Sequence, residues 1–270
     1  MCLLIAMFGV VPDAPLIMAA NRDERLDRPA VPMTVLRERG PRILGGRDEL
    51  AGGTWLAVNE HGLVAGLTNQ PSADGRDPAK RSRGELPLAF AAYASAAEAV
   101  GTVCASIDPA GYNPCWLLVG DRETLFFVAI EGRSRPRAQQ LGPGLHVLEN
   151  SALSPRSPKA AFVTQLVEEA LSLRADLGAR GTVAALETVL GDHRPAIHEP
   201  RTDSAGRVRP PELSAACVHV EGYGTRSALT VSVPGTGLPS VRAARGRPCE
   251  SPLHDATDLW LAGAVSELPD

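Results

Sequence analysis

Cys2 is the residue whose position in this chain offers the most distinctive chemistry. It directly follows Met1, and cysteine is small enough for that methionine to be removed after synthesis. Removal would leave a thiol and a free α-amine on one residue. Such an amine has an ordinary pKa of about 7.7–8.0, and a thiol one of about 8.5. The amine can therefore accept the thiol proton near neutral pH, as it does in N-terminal threonine nucleophiles.

A polar cluster at residues 21–24, Asn-Arg-Asp-Glu, ends the second of two apolar runs that open the chain. The runs are separated by Pro12 and Asp13, a pattern typical of two strands joined by a turn. A hairpin folded about Asp13 and Ala14 places Leu4 opposite Asp23 and brings Cys2 beside the cluster. The pattern therefore predicts a thiol and polar side chains at one end of a hairpin.

A small buried strand residue is the alternative reading of Cys2, since free cysteine commonly packs in this way. The 21–24 cluster favours the reactive thiol, because four polar residues ending an apolar strand need a partner or an exit to solvent. We expect the neighbouring amine and the dipoles of the site to lower the pKa of the Cys2 thiol.

Composition indicates an ordinary globular protein. The 270 residues are 44% hydrophobic and 21% charged, with a net charge of −4, and we predict one domain over residues 1–270. Basic residues alternate with acidic ones, which argues against nucleic-acid binding. No run approaches the roughly 20 apolar residues of a membrane span, and no basic residue precedes the first run as in a signal peptide. We therefore predict a cytoplasmic protein with a small-molecule substrate; nothing in the sequence indicates an oligomeric state.

The cysteines and histidines give no local signal for a metal or a cofactor. The five cysteines are scattered and form no C-x-x-C pair, as expected of reduced thiols. No two of the six histidines have helix spacing with a nearby acid. The sequence therefore predicts neither a zinc site nor a cofactor.

Hydrophobic periodicity predicts an α+β fold. Strands are predicted at 54–58, 63–68, 115–120, 124–131, 145–148, 217–220, 228–233 and 241–244. Helices are predicted at 85–106, as a pair meeting near Ser95, and at 159–174 and 182–190. Residues 28–42, 70–84 and 193–213 are predicted to be irregular, and 70–84 is long enough to cover a site. Two antiparallel sheets with helices outside them satisfy this order.

Several motifs together resemble one family. They are the 21–24 cluster, Gly-Gly-Arg-Asp at 45–48, Ala-Gly-Gly-Thr-Trp-Leu at 51–56, Leu-Thr-Asn at 67–69, Arg-Ser-Arg-Gly-Glu-Leu at 81–86 and Tyr-Gly-Thr-Arg-Ser at 223–227. In this order they resemble the NRDE family, also called the transport and Golgi organisation protein 2 family. The resemblance spans nearly the whole chain. It implies a relation to N-terminal nucleophile (Ntn) hydrolases and their four-layer αββα sandwich.

The resemblance also implies catalytic roles. Asp23 would hold the Cys2 ammonium by a charge-assisted hydrogen bond. Asn69, at a strand end, resembles the asparagine whose amide stabilises the tetrahedral oxyanion in Ntn enzymes, and Asn150 resembles a second such asparagine. A turn-forming residue is the alternative for Asn69. The two glycines at 52–53 would let a ligand approach the backbone, although a plain turn explains them equally well.

Three residues are predicted to bind substrate: Asn21, Arg22 and Arg226. In the related bile-salt hydrolases the corresponding segment reads Gly-Arg-Asn-x-Asp, which this chain matches at Asn21 and Asp23 but not at Ala20, where those enzymes have arginine. Arg22 is out of phase by one position, which in a strand favours the opposite face. A structural ion pair is the alternative for both arginines.

The leading hypothesis is a cysteine hydrolase or acyltransferase acting on small amide or acyl substrates, with Cys2 as nucleophile. The alternative is a non-catalytic protein of the same fold that carries lipid-derived or haem-like ligands, as the family's links to lipid and haem handling suggest. A third hypothesis is a hydrolase using Cys217 and His219, which share a strand face; no matching acid or oxyanion donor accompanies them.

Overall fold

The structure is a computed structural model and describes residues 2–72, 75–132, 134–153, 157–175, 178–203 and 206–261. Its strands are β1 (Cys2–Val11), β2 (Ala14–Arg25), β3 (Ala30–Arg37), β4 (Ile43–Asp48), β5 (Leu56–Asn59), β6 (Val64–Asn69), β7 (Cys115–Gly120), β8 (Leu125–Ile130), β9 (Arg137–Leu141), β10 (Gly144–Leu148), β11 (Arg201–Thr202), β12 (Val208–Arg209), β13 (His219–Val220), β14 (Tyr223–Val233), β15 (Ser240–Ala244) and β16 (His254–Asp255). Its α-helices are α1 (Glu85–Phe90), α2 (Ala96–Ser106), α3 (Pro158–Ser172) and α4 (Ala179–Leu190).

The strands form two large antiparallel sheets. The first has the order β10-β1-β2-β14-β15-β16, with β13 paired to β14. The second runs from β3 to β9 in sequence order, so each of its strands pairs with its neighbour in the chain. The first sheet instead joins the two ends of the chain, since β2 pairs with β14. Within the described residues, no helix is long and apolar enough to cross a membrane.

Three apolar layers hold the elements together. Side chains alternate between the faces of β1 and β2. Leu4 and Met18 point between the two sheets and pack with Leu56 of β5. Leu3 and Ile17 point the other way, towards α3 and α4. A third layer lies between the second sheet and the α1–α2 pair. The order of layers is therefore αββα, and the predicted fold class is confirmed.

Most predicted elements are present, but the loop predicted at 28–42 is wrong over most of its length. It contains β3, and β4 follows directly after it. Strand β3 is an edge strand with an irregular register against β4. Its sequence includes Pro32 and shows little alternation of apolar and polar residues, so it does not look like a strand. An edge strand can have such a sequence because it tolerates proline and needs no second buried face. The edge strand β9 was not predicted either, because four of its five residues are exposed and it shows no alternation of apolar and polar residues.

The register of the first hairpin also differs from the predicted one. Leu4 faces Ala20 rather than Asp23, and Cys2 faces Arg22 directly. Of the three positions of difference, two arise because the turn pairs Val11 with Ala14, and one arises from the register shift between Phe8 and Val11. Directly opposed residues on antiparallel strands share a face of the sheet. The register therefore places Arg22 on the Cys2 face, which corrects the expectation that it points away.

Candidate active site

A cavity of about 390 Å³ lies at the end of the first hairpin, where β1 begins and β2 ends. Four of the predicted site residues line it: Cys2, Arg22, Asp23 and Asn69. The first three come from the hairpin, and Asn69 comes from the end of β6 in the facing sheet. The cavity therefore lies where strand ends of the two sheets meet, and the hairpin supplies three of these four residues.

Cys2 begins β1 and is only 9% exposed. Burial raises the pKa of its thiol, and the positive charge of the amino terminus is the largest opposing effect. The nearby Asp23 carboxylate raises this pKa further, while Arg22 and the backbone of Asp23 lower it. In the chain that retains Met1, burial therefore opposes the lowering that we expect for a mature Cys2 with its own free amine. A buried thiol of this kind stays protonated at rest, so nucleophilic attack requires a base that removes the proton during the reaction.

Asp23 is held by a buried network of hydrogen bonds and charge. Its carboxylate accepts a hydrogen bond of 2.7 Å from the hydroxyl of Thr225, and the ammonium of Lys159 lies 3.8 Å away. The Tyr223 hydroxyl donates to its backbone carbonyl at 2.9 Å. Burial raises the pKa of Asp23, and the Lys159 charge is the largest opposing effect. The carboxylate is therefore fixed in direction beside the start of β1.

Arg22 is buried and braced on two sides. Its guanidinium lies over the Trp55 ring at 4.8 Å and donates to Asp48 at 3.1 Å. Its Nη1 is buried without a hydrogen-bond partner among the described residues. Gly46 makes room for this arrangement, since a Cβ there would lie 1.9 Å from the Trp55 ring. The unused donor of Arg22 is available to an acceptor atom of a bound molecule.

Asn69 and Asn150 occupy different positions relative to the cavity. Asn69 lines the wall, whereas Asn150 does not. The side-chain amide of Asn150 donates to the backbone carbonyl of Asn69. The structure therefore brings the two predicted asparagines together, with Asn69 facing the cavity and Asn150 supporting the end of β6 behind it.

Asn21 and Arg226 were predicted to bind substrate, and neither lines the cavity. The Asn21 amide points to the helix side of the sheet and donates to the carbonyls of Leu190 and Ala216, both at 2.9 Å. The reason is the strand period, which places Asn21 opposite Leu3 on that face. Arg226 lies in a bulge of β14 between Thr225 and Ser227. It is the extra residue of that bulge and has no partner on β2.

Six arginines line the cavity against three carboxylates, and the sequence reasoning did not foresee this excess. The carboxylates are Asp23, Glu24 and Asp48. The pKa of Asp48 is lowered, although its burial acts to raise it. The lowering comes from the hydrogen bond from Arg28, the backbone of Ala51 and the charges of Arg28 and Arg22. The arginines are Arg22, Arg25, Arg28, Arg76, Arg81 and Arg83.

Arg76 and Arg83 differ from the other cavity arginines. Within the described residues, neither has a carboxylate within salt-bridge distance, whereas Arg81 pairs with Glu85. Arg83 is half-buried and donates to the Pro114 carbonyl at 3.2 Å. Burial lowers the pKa of Arg83, and Arg76 is a further cause in the same direction. Both side chains therefore present uncompensated positive charge to the cavity.

The glycine motifs position this arginine-bearing loop rather than a ligand. A Cβ on Gly53 would lie 2.5 Å from the backbone of Gly84, and the Thr54 amide donates to the Gly84 carbonyl at 3.0 Å. The close approach expected of residues 52–53 therefore serves another chain segment, the one that carries Arg83. Only glycine at both positions allows the two backbones to touch.

Two further residues of the site gave no sequence signal. Asn113 exchanges two hydrogen bonds of 2.9 Å with the backbone of Asp77, which ties the loop carrying Arg76 to the wall. Lys159 is buried at the start of α3 and reaches Asp23. Lys159 is one of only two lysines in the chain, which is the one feature that could have singled it out.

Comparison with known proteins identifies the family. The family model for Transport and Golgi organisation 2 matches residues 1–241. The chain belongs to this family. Its relatives include the Transport and Golgi organization protein 2 homologs of Homo sapiens, 31% identical over 254 residues, and of Bos taurus, 30% identical over 262 residues. Each alignment covers 88% of this chain and 90% of the relative.

Solved structures similar to this member of the Transport and Golgi organisation 2 family are Ntn hydrolases. One is the Caenorhabditis elegans ortholog of N-acylethanolamine-hydrolyzing acid amidase, with a TM-score of 0.50, 14% identity and coverage of 70% of this chain and 86% of that one. Another is a mutant of conjugated bile acid hydrolase from Clostridium perfringens, with a TM-score of 0.50, 12% identity and coverage of 100% and 97%. At these identities the likeness establishes the shared fold.

Proposed function

We propose that this protein is an N-terminal-cysteine hydrolase or acyltransferase that acts on a small amide or acyl compound carrying an anionic group. The observation that supports it most is the meeting of Cys2, Asp23 and Asn69 at one cavity. Its volume, about 390 Å³, falls in the range of small-molecule sites. The two similar structures are named for the hydrolysis of N-acylethanolamine and of conjugated bile acid, which agrees with amide or acyl chemistry.

In the proposed reaction the Cys2 sulfur attacks the substrate carbonyl carbon while its α-amine takes the thiol proton. The carbonyl electrons move to oxygen, and the Asn69 amide stabilises that oxyanion. The tetrahedral intermediate collapses, the leaving group departs with the proton, and a thioester remains on Cys2. Water, or an acceptor amine or hydroxyl, then attacks the thioester while the α-amine takes its proton. The acyl group leaves bonded to the acceptor, and the proton returns to the Cys2 sulfur. Asp23 orients the ammonium that forms in both steps.

The charge of the cavity supports an anionic substrate. Arg83 and Arg76 lack carboxylate partners among the described residues, and Arg22 has a free donor in the wall. Planar guanidinium groups bind carboxylate and phosphate oxygens in a bidentate manner. A negatively charged group on the substrate would offset these charges, which an uncharged amide could not do.

A substrate screen tests the proposal directly. N-acyl amino acids, short peptides, acyl-coenzyme A esters and lipid amides are incubated with the wild-type protein and with Cys2→Ala. Turnover that disappears in Cys2→Ala supports the enzyme. Stoichiometric binding without turnover, retained in Cys2→Ala, would instead support the non-catalytic carrier.

We expect Met1, which lies outside the described residues, to be absent from the mature protein. The reason is that only a free Cys2 amine can act as the base. Intact-mass analysis of untagged protein measures this. Methionine retained on most molecules would count heavily against the mechanism.

We expect Arg83→Gln to raise KM for anionic substrates by about 10- to 100-fold with a smaller change in kcat. A hydrogen bond to a charged group contributes about 1.5–3 kcal/mol, and each 1.4 kcal/mol is tenfold in affinity. Glutamine retains a donor for the Pro114 carbonyl, so the loop should stay in place. Steady-state kinetics measures both constants.

Arg81→Gln is the matched control for Arg83→Gln. Arg81 lies on the same loop and lines the same cavity, but its charge is paired with Glu85. The KM of the Arg81→Gln variant should therefore differ little from that of the wild type. Equal KM increases in the two variants, or no increase in Arg83→Gln, would remove the anion-binding role of Arg83.

A further inference from the structure

A second cluster of reactive side chains lies outside the cavity. Cys217, His219, Cys249 and His193 meet although they come from three separate segments of the chain. His193 follows α4, Cys217 and His219 lie at β13, and Cys249 lies in the loop after β15. Within the described residues, His193, His219 and Cys249 form the one group of metal-ligating side chains found, with ligand atoms within 4.8 Å of one another, and the Cys217 sulfur adjoins His219 and Cys249. The catalytic proposal uses none of the four.

The spacing of the ligand atoms matches a metal centre. The Cys217 and Cys249 sulfurs are 3.6 Å apart, and the His219 Nε2 lies 3.4 Å from the first and 3.2 Å from the second. Tetrahedral bonds of about 2.3 Å to sulfur and 2.0–2.1 Å to nitrogen place two sulfurs roughly 3.8 Å apart, and sulfur and nitrogen roughly 3.5 Å apart. The observed separations are within a few tenths of an ångström of these values.

The fourth side chain stands where it can complete the set. The His193 ligand atom lies within 4.8 Å of those of His219 and Cys249, and the rings of His193 and His219 meet edge to face with centroids 5.6 Å apart. The backbone that carries them is already fixed: the Cys217 amide donates to the Asp192 carbonyl at 2.7 Å. The Cys249 backbone packs against Gly191.

We propose that Cys217, His219, Cys249 and His193 bind one Zn²⁺ ion in a tetrahedral structural site. Two sulfurs and two imidazole nitrogens in tetrahedral array are typical of zinc. Binding would release two thiol protons to solvent and leave a neutral centre of two thiolates and one dication. Four protein ligands leave no position for substrate, so the ion would stabilise the fold rather than take part in catalysis.

The site would stabilise the back of the catalytic hairpin. Ala216, next to Cys217, accepts the Asn21 hydrogen bond, and the Val218 amide donates to Thr225 at 2.8 Å. Thr225 in turn holds Asp23. Zinc would thus join the end of α4, β13 and the loop after β15 behind the residues that position Asp23.

Zinc binding to the full-length, chelator-treated protein in reducing buffer tests the proposal. Competition with a chromophoric chelator should give one Zn²⁺ per chain, and zinc should raise Tm because it binds the folded state. Cobalt in place of zinc should show thiolate charge-transfer and tetrahedral d–d absorption. Cys249→Ser and His193→Ala should each weaken zinc affinity at least about 100-fold, since losing even an outer-shell partner typically costs 10–100-fold.

Cys104→Ser and His198→Ala are the matched controls, because they remove the same residue types outside the cluster. Their zinc affinity should equal that of the wild type. Cys249 and His193 are both exposed, so their variants should fold, and a thermal melt checks this. Absence of stoichiometric binding in the wild type, or undiminished affinity in Cys249→Ser, would overturn the zinc site. A Cys217–Cys249 disulfide as the sole species in reducing buffer would also overturn it.

Discussion

Blocking the α-amine of Cys2 is expected to abolish turnover almost completely while the protein stays folded. The change is an extension of the mature chain by one uncleavable residue before Cys2. The thiol remains, but the α-nitrogen becomes an amide and cannot accept the thiol proton. Because burial raises the pKa of that thiol, no resting thiolate compensates for the lost base. Turnover and Tm of the extended and native forms are measured side by side.

A cleavable version of the same extension is the control. It differs from the blocked protein only in a protease site placed directly before Cys2, so cleavage restores the native amine. Activity should be absent before cleavage and return afterwards. The fold should persist throughout, because β1 keeps its buried residues Leu3 to Ala6. Full activity in the uncleaved form would contradict the N-terminal mechanism and favour another cysteine as the nucleophile.

Asn69→Ala is expected to lower kcat by roughly 100- to 1,000-fold with little change in KM. The amide acts on charge that develops in the transition state, and the loss of one such donor typically costs about 2.7–4 kcal/mol. Asn69 ends β6 and is half-buried, so a Tm close to that of the wild type is expected. Steady-state kinetics beside a thermal melt is the measurement.

Asn150→Ala is the comparison for Asn69→Ala, because it removes the same amide group from behind the cavity wall. Its kcat should fall less, since the Asn150 amide supports the Asn69 backbone and does not face the cavity. A larger loss in Asn150→Ala would transfer the oxyanion role to that residue. A lower Tm with normal kcat in Asn69→Ala would leave Asn69 as a turn residue.

Local patterns in the sequence determined much of the fold. Alternating apolar residues and turn dipeptides placed the hairpins, and the helical stripe placed α3, because strand and helix periods are properties of short segments. Ser95 marked the break between α1 and α2, where its side chain caps the second helix at the Glu98 amide. The hairpin pattern also predicted that Cys2 lies next to the 21–24 cluster, because the two strands of a hairpin are near each other in sequence.

Side-chain direction at the site was decided by the tertiary structure. A register shift near the turn put Arg22, rather than Asn21, on the Cys2 face, and a one-residue change in strand register reverses every side chain. The bulge that excludes Arg226 exists only where β14 pairs with β2. Such pairing joins residues about 200 positions apart, and no local propensity specifies its register.

Groupings of distant residues likewise required the fold. Arg83 lines the cavity next to Gly84, whose backbone packs against that of Gly53 from a distant segment of the chain. His193 and Cys249 are 56 positions apart in the numbering and share a cluster only after α4 and β15 have packed on the first sheet. The sequence by itself predicted the layers and singled out Cys2 as the proposed nucleophile. The tertiary structure decided which charges and which ligand atoms meet, because contacts between segments depend on packing and register rather than on the residues next to them.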